Sequence, residues 1–142
     1  MKTTIQFTIH LKKIPTVTHQ MQRITVHGGR PQVYEDAALA DARQLFCAHL
    51  AQHAPEKPLD GPLSLTTSWL YGTTSKKKAG TWKTTKPDTD NLIKLFKDCM
   101  GRVGYFDDDA QIVIESTAKM WDTRSKIVVV LYQLDKRVGG EA

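Results

Sequence analysis

Two groups of carboxylates bracket one stretch of this chain. Pro87-Asp88-Thr89-Asp90-Asn91-Leu92-Ile93-Lys94 opens it, and Gly104-Tyr105-Phe106-Asp107-Asp108-Asp109-Ala110-Gln111 closes it. Between them Leu92, Leu95, Phe96, Cys99, Met100 and Val103 recur at helical spacing, while Asn91, Lys94, Lys97 and Asp98 fall largely off that stripe. The spacing predicts a short helix. Asp88 and Asp90 stand at its entrance, where the positive end of the helix dipole favours ionised carboxylates. Asp107, Asp108 and Asp109 stand just past its exit. Pro87 cannot continue a helix from upstream, Asp88, Thr89 or Asp90 can each serve as N-cap, and Gly101 and Gly104 mark the end. Lys94 follows Asp90 by one turn, on the same face.

Capping explains one of these acids well and five of them poorly. A solvated acidic turn is the simplest account of Asp107, Asp108 and Asp109 taken alone, yet adjacent like charges repel and are best tolerated beside a cation. Hard Mg²⁺ takes oxygen ligands, uses few protein carboxylates and leaves positions for water and substrate phosphate. On spacing alone, metal binding, helix capping and a solvated turn all remain open.

The pattern Asp88-x-Asp90-Asn91-x-x-Lys94, a helix, an aromatic turn, then Asp108-Asp109-x-Gln111 and a strand resembles the core of the RusA family of Holliday junction resolvases, often carried by prophages. The resemblance implies metal-binding carboxylates at Asp88, Asp90 and Asp109, with Asp108 as a secondary ligand or support and Asp107 as an additional acid. It places the family's essential lysine at Lys94. It further implies Mg²⁺ as cofactor with Mn²⁺ as a substitute, a homodimer, and four-way or branched DNA as substrate. The segment after the first strand, Ile14-Pro15-Thr16-Val17-Thr18, is a degraded version of the family's proline-rich one.

Positioning this stretch requires a sheet. Residues 3–11 alternate as a first strand, residues 62–71 as a second, and residues 111–121 as a third, and residues 126–134 read as a buried final strand. Residues 34–53 form the other helix, with Leu39, Ala42, Leu45, Phe46, His49 and Leu50 in period and an alanine-rich face (Ala37, Ala38, Ala40, Ala48, Ala51) expected to pack closely on the sheet. Residues 12–32 read as irregular, with His19 and His27 too scattered to make a ligand set. The order β-α-β-α-β-β implies an α+β fold: one mixed sheet with both helices packed against it, parallel pairs from the β-α-β units, and a hairpin of the last two strands. The whole of residues 1–142 reads as one domain, with residues 136–142 as a polar tail.

The chain carries 20 Lys and Arg against 15 Asp and Glu, a net charge of +5. Lys76, Lys77, Lys78, Lys83 and Lys86 fall in residues 72–86 with no acid among them, so the excess positive charge is local to a stretch that runs straight into Asp88. A flexible basic loop there suits phosphate-backbone binding through counterion release, though lysine runs are often only solvated. Trp82 is placed either to stack on an unpaired base or to pack into the core. Lys119, matching a lysine of the family, reads as a phosphate contact. Only two cysteines occur, Cys47 and Cys99, best read as buried small hydrophobes. No run is apolar enough to span a membrane and no signal-peptide pattern opens the chain, which points to a cytosolic protein; the resemblance implies the cytoplasm of a bacterium or phage-infected host. The activity the resemblance implies is a Mg²⁺-dependent endodeoxyribonuclease that resolves Holliday junctions by paired symmetric nicks in DNA recombination and repair. The alternatives are a nuclease of looser specificity for flaps or single strands, a branched-DNA-binding protein without catalysis, and a basic RNA-binding protein.

Overall fold

The computed structural model describes residues 2–16, 22–27 and 29–139. Val17, Thr18 and His19 of the sequence reading, and residues 140–142 of the tail, lie outside the described residues. In chain order the elements are β1 (Thr4–His10), β2 (Gln22–His27), β3 (Arg30–Glu35), α1 (Ala37–Ala51), β4 (Leu63–Gly72), α2 (Thr89–Arg102), β5 (Ile112–Asp122) and β6 (Lys126–Gln133). Four strands make one mixed sheet in the order β1-β6-β4-β5, and β2 and β3 make a separate ribbon. β4 and β5 run parallel, and β6 runs antiparallel to both β1 and β4. The main sheet and its two helices are the α+β arrangement that the apolar periodicities imply.

One face of the sheet carries the core. Along β4, Leu63, Leu65, Thr67, Trp69 and Tyr71 are buried while their alternates are not, and Phe7, Ile9, Ile127, Val129 and Leu131 continue that face on β1 and β6. Trp69 meets Phe46 of α1 and Phe96 of α2 edge-on, at ring-centroid distances of 6.0 and 5.3 Å. Truncating a buried ring of this kind to alanine costs about 3–5 kcal/mol, so this cluster sets the seat of both helices on the sheet. Arg43 of α1 pairs with Asp98 of α2, and Tyr105, just past α2, donates its hydroxyl to the Leu50 carbonyl at 2.6 Å. α2 lies antiparallel to β5. Its entrance meets the far half of that strand through Lys119 Nζ on the Pro87 carbonyl, at 2.7 Å, and its middle meets the near half through the Lys97–Glu115 ion pair, also 2.7 Å.

Three expectations are corrected. The last two strands are not a hairpin: β4 lies between β5 and β6. The short link after β5 passes over the end of β4, where the Gly72 amide donates to Ser125 Oγ at 3.0 Å; a Cβ on Gly72 would stand 3.1 Å from that oxygen, so glycine admits the crossing. Residues 12–32 are not wholly irregular, since β2 and β3 pair with His27 opposite Arg30. A two-residue Gly-Gly link is itself a hairpin signal, and Pro31 is tolerated because a two-stranded ribbon leaves one edge without ladder donors. The alanines of α1 do not face the sheet. Ala37, Ala38, Ala40, Ala48 and Ala51 are exposed, and the buried stripe is Leu39, Ala42, Arg43, Phe46 and Leu50. The larger apolar side chains gain more by leaving water, and alanine serves the outer face as a good helix former.

Candidate active site

After β4 the chain doubles back along the outer edge of β5. The Gly80 amide donates to the Trp121 carbonyl (2.9 Å), the Trp121 amide to the Thr81 carbonyl (2.9 Å) and the Lys83 amide to the Lys119 carbonyl (3.0 Å). The stretch expected to be a flexible basic loop is thus tied to the sheet from Gly80 onward, as a short added strand beside the far half of β5. Lys76, Lys77, Lys78 and Lys86 are exposed. Trp82 is 71% exposed, which sets aside the core-packing alternative for it.

Lys83 is different. It is only 8% exposed, its ammonium lies 4.6 Å from the Trp121 ring centroid and 5.0 Å from that of Tyr71, and it donates to Thr85 Oγ1 at 2.5 Å and to the Lys86 carbonyl at 2.6 Å. Burial first, then the positive charges of Lys119 and Lys78, lower its pKa from the ordinary lysine value. Lys119 donates to the Thr85 and Pro87 carbonyls, both at 2.7 Å. Both ammonium groups are turned inward onto the backbone that leads into α2.

At the entrance of α2, Asp88 occupies the N-cap position in extended conformation, yet its side chain makes no capping hydrogen bond. Asp90 lies in the first turn and Lys94 one turn later, and all three are exposed. Among the described residues no hydrogen bond or ion pair engages the carboxylates of Asp88 and Asp90 or the ammonium of Lys94. Capping does not therefore occupy these acids.

At the exit, Asp108 caps a one-turn 3₁₀ segment, Asp109–Gln111. Its carboxylate accepts from the Ala110 amide at 2.8 Å. Gln111 braces the whole turn: its Oε1 accepts from the Asp107 and Asp108 amides, each at 3.1 Å, and its Nε2 donates to the Leu59 and Gly61 carbonyls at 3.0 and 3.1 Å. Asp107 and Asp109 are exposed, and among the described residues their carboxylates are unengaged. Sequence reasoning quoted Gln111 as part of a motif but gave it no task; its amide, matched to two donors and two acceptors, is what shapes the acidic turn.

The structure brings Asp88, Asp90 and Lys94 together and sets Asp108 and Asp109 at the other end. α2 has 14 residues, about 21 Å at 1.5 Å each. Because α2 is antiparallel to β5, Asp109 lies next to the start of that strand while Asp88 lies by Lys119 in its far half. Carboxylates sharing one Mg²⁺ must converge to within a few ångströms of one another, since each oxygen sits about 2 Å from the ion. Among the described residues no group of three or more His, Cys, Asp or Glu is close enough to hold a metal. The donors fit Mg²⁺ in kind, as uncommitted carboxylate oxygens open to water, but one chain presents them in two halves.

The endodeoxyribonuclease RusA family model matches residues 13–132 of this chain. The chain belongs to the RusA family and is an endodeoxyribonuclease. It is 30% identical over 131 residues to the crossover junction endodeoxyribonuclease rusA of Lactococcus phage r1t, spanning 91% of this chain and 98% of that protein. It is also 26% identical over 142 residues to the uncharacterized protein YqaN of Bacillus subtilis strain 168, spanning 92% of this chain and 96% of that one. No helix among the described residues is long and apolar enough to cross a membrane.

Proposed function

We propose that this endodeoxyribonuclease resolves Holliday junctions as a Mg²⁺-dependent homodimer, making paired symmetric nicks, and that each active site is assembled from both protomers. The observation that carries this reading is the separation of the carboxylates across the two ends of α2. A two-fold axis that pairs β5 antiparallel with its own copy sets the start of one strand beside the far half of the other. Asp109 of one protomer then approaches Asp88 and Asp90 of its partner, and the symmetry repeats the arrangement. β5 is an edge strand, and among the described residues nothing pairs with the outer side of residues 112–118. Val113 and Ile114 are 61% and 54% exposed on that half. A bare strand edge with apolar side chains is a template for pairing with another chain.

Held by Asp88, Asp90 and the partner's Asp109, Mg²⁺ would supply Lewis-acid activation of the scissile phosphate and of a bound water. Asp108 supports the turn that carries Asp109. Lys94 stabilises charge on the phosphate or orients the attacking water. Lys76, Lys77, Lys78 and Lys86 neutralise backbone phosphates, and Trp82 offers a stacking surface to an unpaired base at the junction centre. Two equivalent sites suit a substrate that is itself nearly two-fold symmetric. Mn²⁺ substitutes for Mg²⁺, and the setting is recombination and repair in the cytoplasm of a bacterium or phage-infected host. The test is cleavage of an end-labelled synthetic four-way junction, beside linear duplex and a flap, in Mg²⁺, Mn²⁺ or EDTA, with Asp90→Asn as control. Symmetric nicks on the junction, absent in EDTA and in the variant, are expected. Equal cutting of the flap, or tight junction binding without cuts in either metal, contradicts the reading.

A further inference from the structure

We propose that Lys83 and Lys119 are positioning residues for the Asp88–Asp90 pair: their ammonium groups hold the backbone of residues 85–87, and neither contacts DNA phosphate. The inference rests on the proposed metal site at Asp88 and Asp90. It reassigns two lysines that the sequence alone places with the DNA-binding set.

Three consecutive carbonyls precede Asp88, and each accepts from one of these two lysines. The Thr85 and Pro87 carbonyls take Lys119 Nζ, and the Lys86 carbonyl takes Lys83 Nζ, which also holds Thr85 Oγ1. Lys83 stands on the added strand and Lys119 on β5, and those two strands are joined at this same pair by the Lys83 amide on the Lys119 carbonyl. The clamp therefore ties the entrance of α2 to the sheet through side chains that reach it from two neighbouring strands.

The energetics favour a structural duty. A buried ammonium is costly unless it is paired and hydrogen-bonded. Among the described residues neither lysine has a carboxylate partner. Carbonyl dipoles and, for Lys83, the faces of Tyr71 and Trp121 take that place. Lys83, 8% exposed as a residue, and the half-buried Lys119 would each have to break these bonds to reach a phosphate. Meanwhile the Asp88 carboxylate has no cap bond of its own, so its placement depends on the backbone that leads into it. Two positive charges behind Asp88 and Asp90 also ease the gathering of like-charged carboxylates.

The test compares Lys83→Met and Lys119→Met with the exposed Lys76→Ala and Lys77→Ala. Three quantities are read: junction affinity in EDTA at several salt concentrations, the Mg²⁺ midpoint of junction cleavage, and amide hydrogen exchange of residues 85–91 without metal. The Met variants are expected to keep junction affinity and its salt slope while the Mg²⁺ midpoint rises about 10–100-fold, the usual effect of removing support behind a metal ligand. Exchange in residues 85–91 is expected to quicken. Weakened affinity with a salt slope smaller by about one per lysine and an unchanged Mg²⁺ midpoint overturns the proposal, because that is the signature of a phosphate contact. If a Met variant does not fold, the polar Lys119→Gln decides. It removes the charge and shortens the reach, so a raised midpoint with retained affinity supports the clamp, and weakened affinity with an unchanged midpoint refutes it. A wild-type protein that never cuts junctions sinks the metal-site reading instead, and the metal-free exchange still judges the clamp.

Discussion

Gln111 offers the sharpest quantitative prediction. Its side-chain amide makes four hydrogen bonds, two accepted from the Asp107 and Asp108 amides and two donated to the Leu59 and Gly61 carbonyls. At about 1 kcal/mol net for each, discounted because the turn is partly open to water, Gln111→Ala should cost about 2–4 kcal/mol. For a chain of this size that corresponds to a fall in Tm of about 6–12 °C. Gln111→Glu separates bracing from simple packing. It keeps the acceptor for Asp107 and Asp108 but presents an oxygen, usually charged, to the Leu59 and Gly61 carbonyls. The introduced carboxyl should therefore have a raised folded-state pKa. Its stabilising form, the protonated donor, is present below the ordinary glutamate range and is lost as pH rises through that raised value. The assay is urea unfolding followed by tryptophan fluorescence at pH 4 and pH 7, with junction affinity and cleavage measured alongside. Both variants should retain junction affinity while cleavage falls, because Asp109 is no longer held. A loss under about 0.5 kcal/mol for Gln111→Ala, typical of an unremarkable surface site, would refute the bracing argument.

Other outcomes follow from the same geometry. Replacing Lys76, Lys77 and Lys78 together by alanine should weaken junction binding and reduce its salt slope by about three, with stability unchanged; an unchanged slope in a salt titration removes them from the DNA path. Trp82→Ala should cost about 1–3 kcal/mol in junction affinity and nothing measurable in Tm, since the ring is 71% exposed. Tyr105→Phe removes the 2.6 Å donor from the Leu50 carbonyl, which keeps the His53 amide at 3.1 Å, and should cost about 0.5–1.5 kcal/mol by denaturant unfolding. The Thr123 amide first, then Lys126, hold the Asp122 carboxyl below its ordinary pKa. Its stabilising contribution is present above the ordinary aspartate range and is lost as pH falls through the depressed value, so acid unfolding should be less steep in Asp122→Asn than in the wild type.

Much of this molecule is legible in its residues, and what is not has a physical reason. The alternation of β4, the period of α2 and the parallel β4–β5 pair follow from local apolar pattern and from the length of the crossover between the strands. The ribbon of β2 and β3 hides behind Gly28, Gly29 and Pro31, which look like breaks when read singly and like a turn when read with the strands around them. The passage over Gly72 is a non-local contact with no periodic signature. The acids themselves are plain in the sequence, but their separation is a matter of helix length. The spacing that marks Asp88, Asp90 and Asp109 as a set also places a helix of 14 residues between them. Likewise the lysine-rich run announces positive charge, yet only the fold shows that Lys83 is enclosed between Tyr71 and Trp121 while Lys76 and Lys77 remain in water.

The central claim, an active site shared between two protomers, is tested most directly by mixing two dead variants. Asp90→Asn and Asp109→Asn proteins, each inactive alone, are unfolded together, refolded and assayed on the four-way junction. In a mixed dimer one site receives both altered residues and the other receives neither. Random assortment makes half the dimers mixed, so nicking should return to about one quarter of the wild-type rate, as single nicks without resolution. Activity that stays at the level of the separate variants, with dimer exchange verified by differently tagged subunits, would place all the carboxylates of each site within one chain and contradict the account.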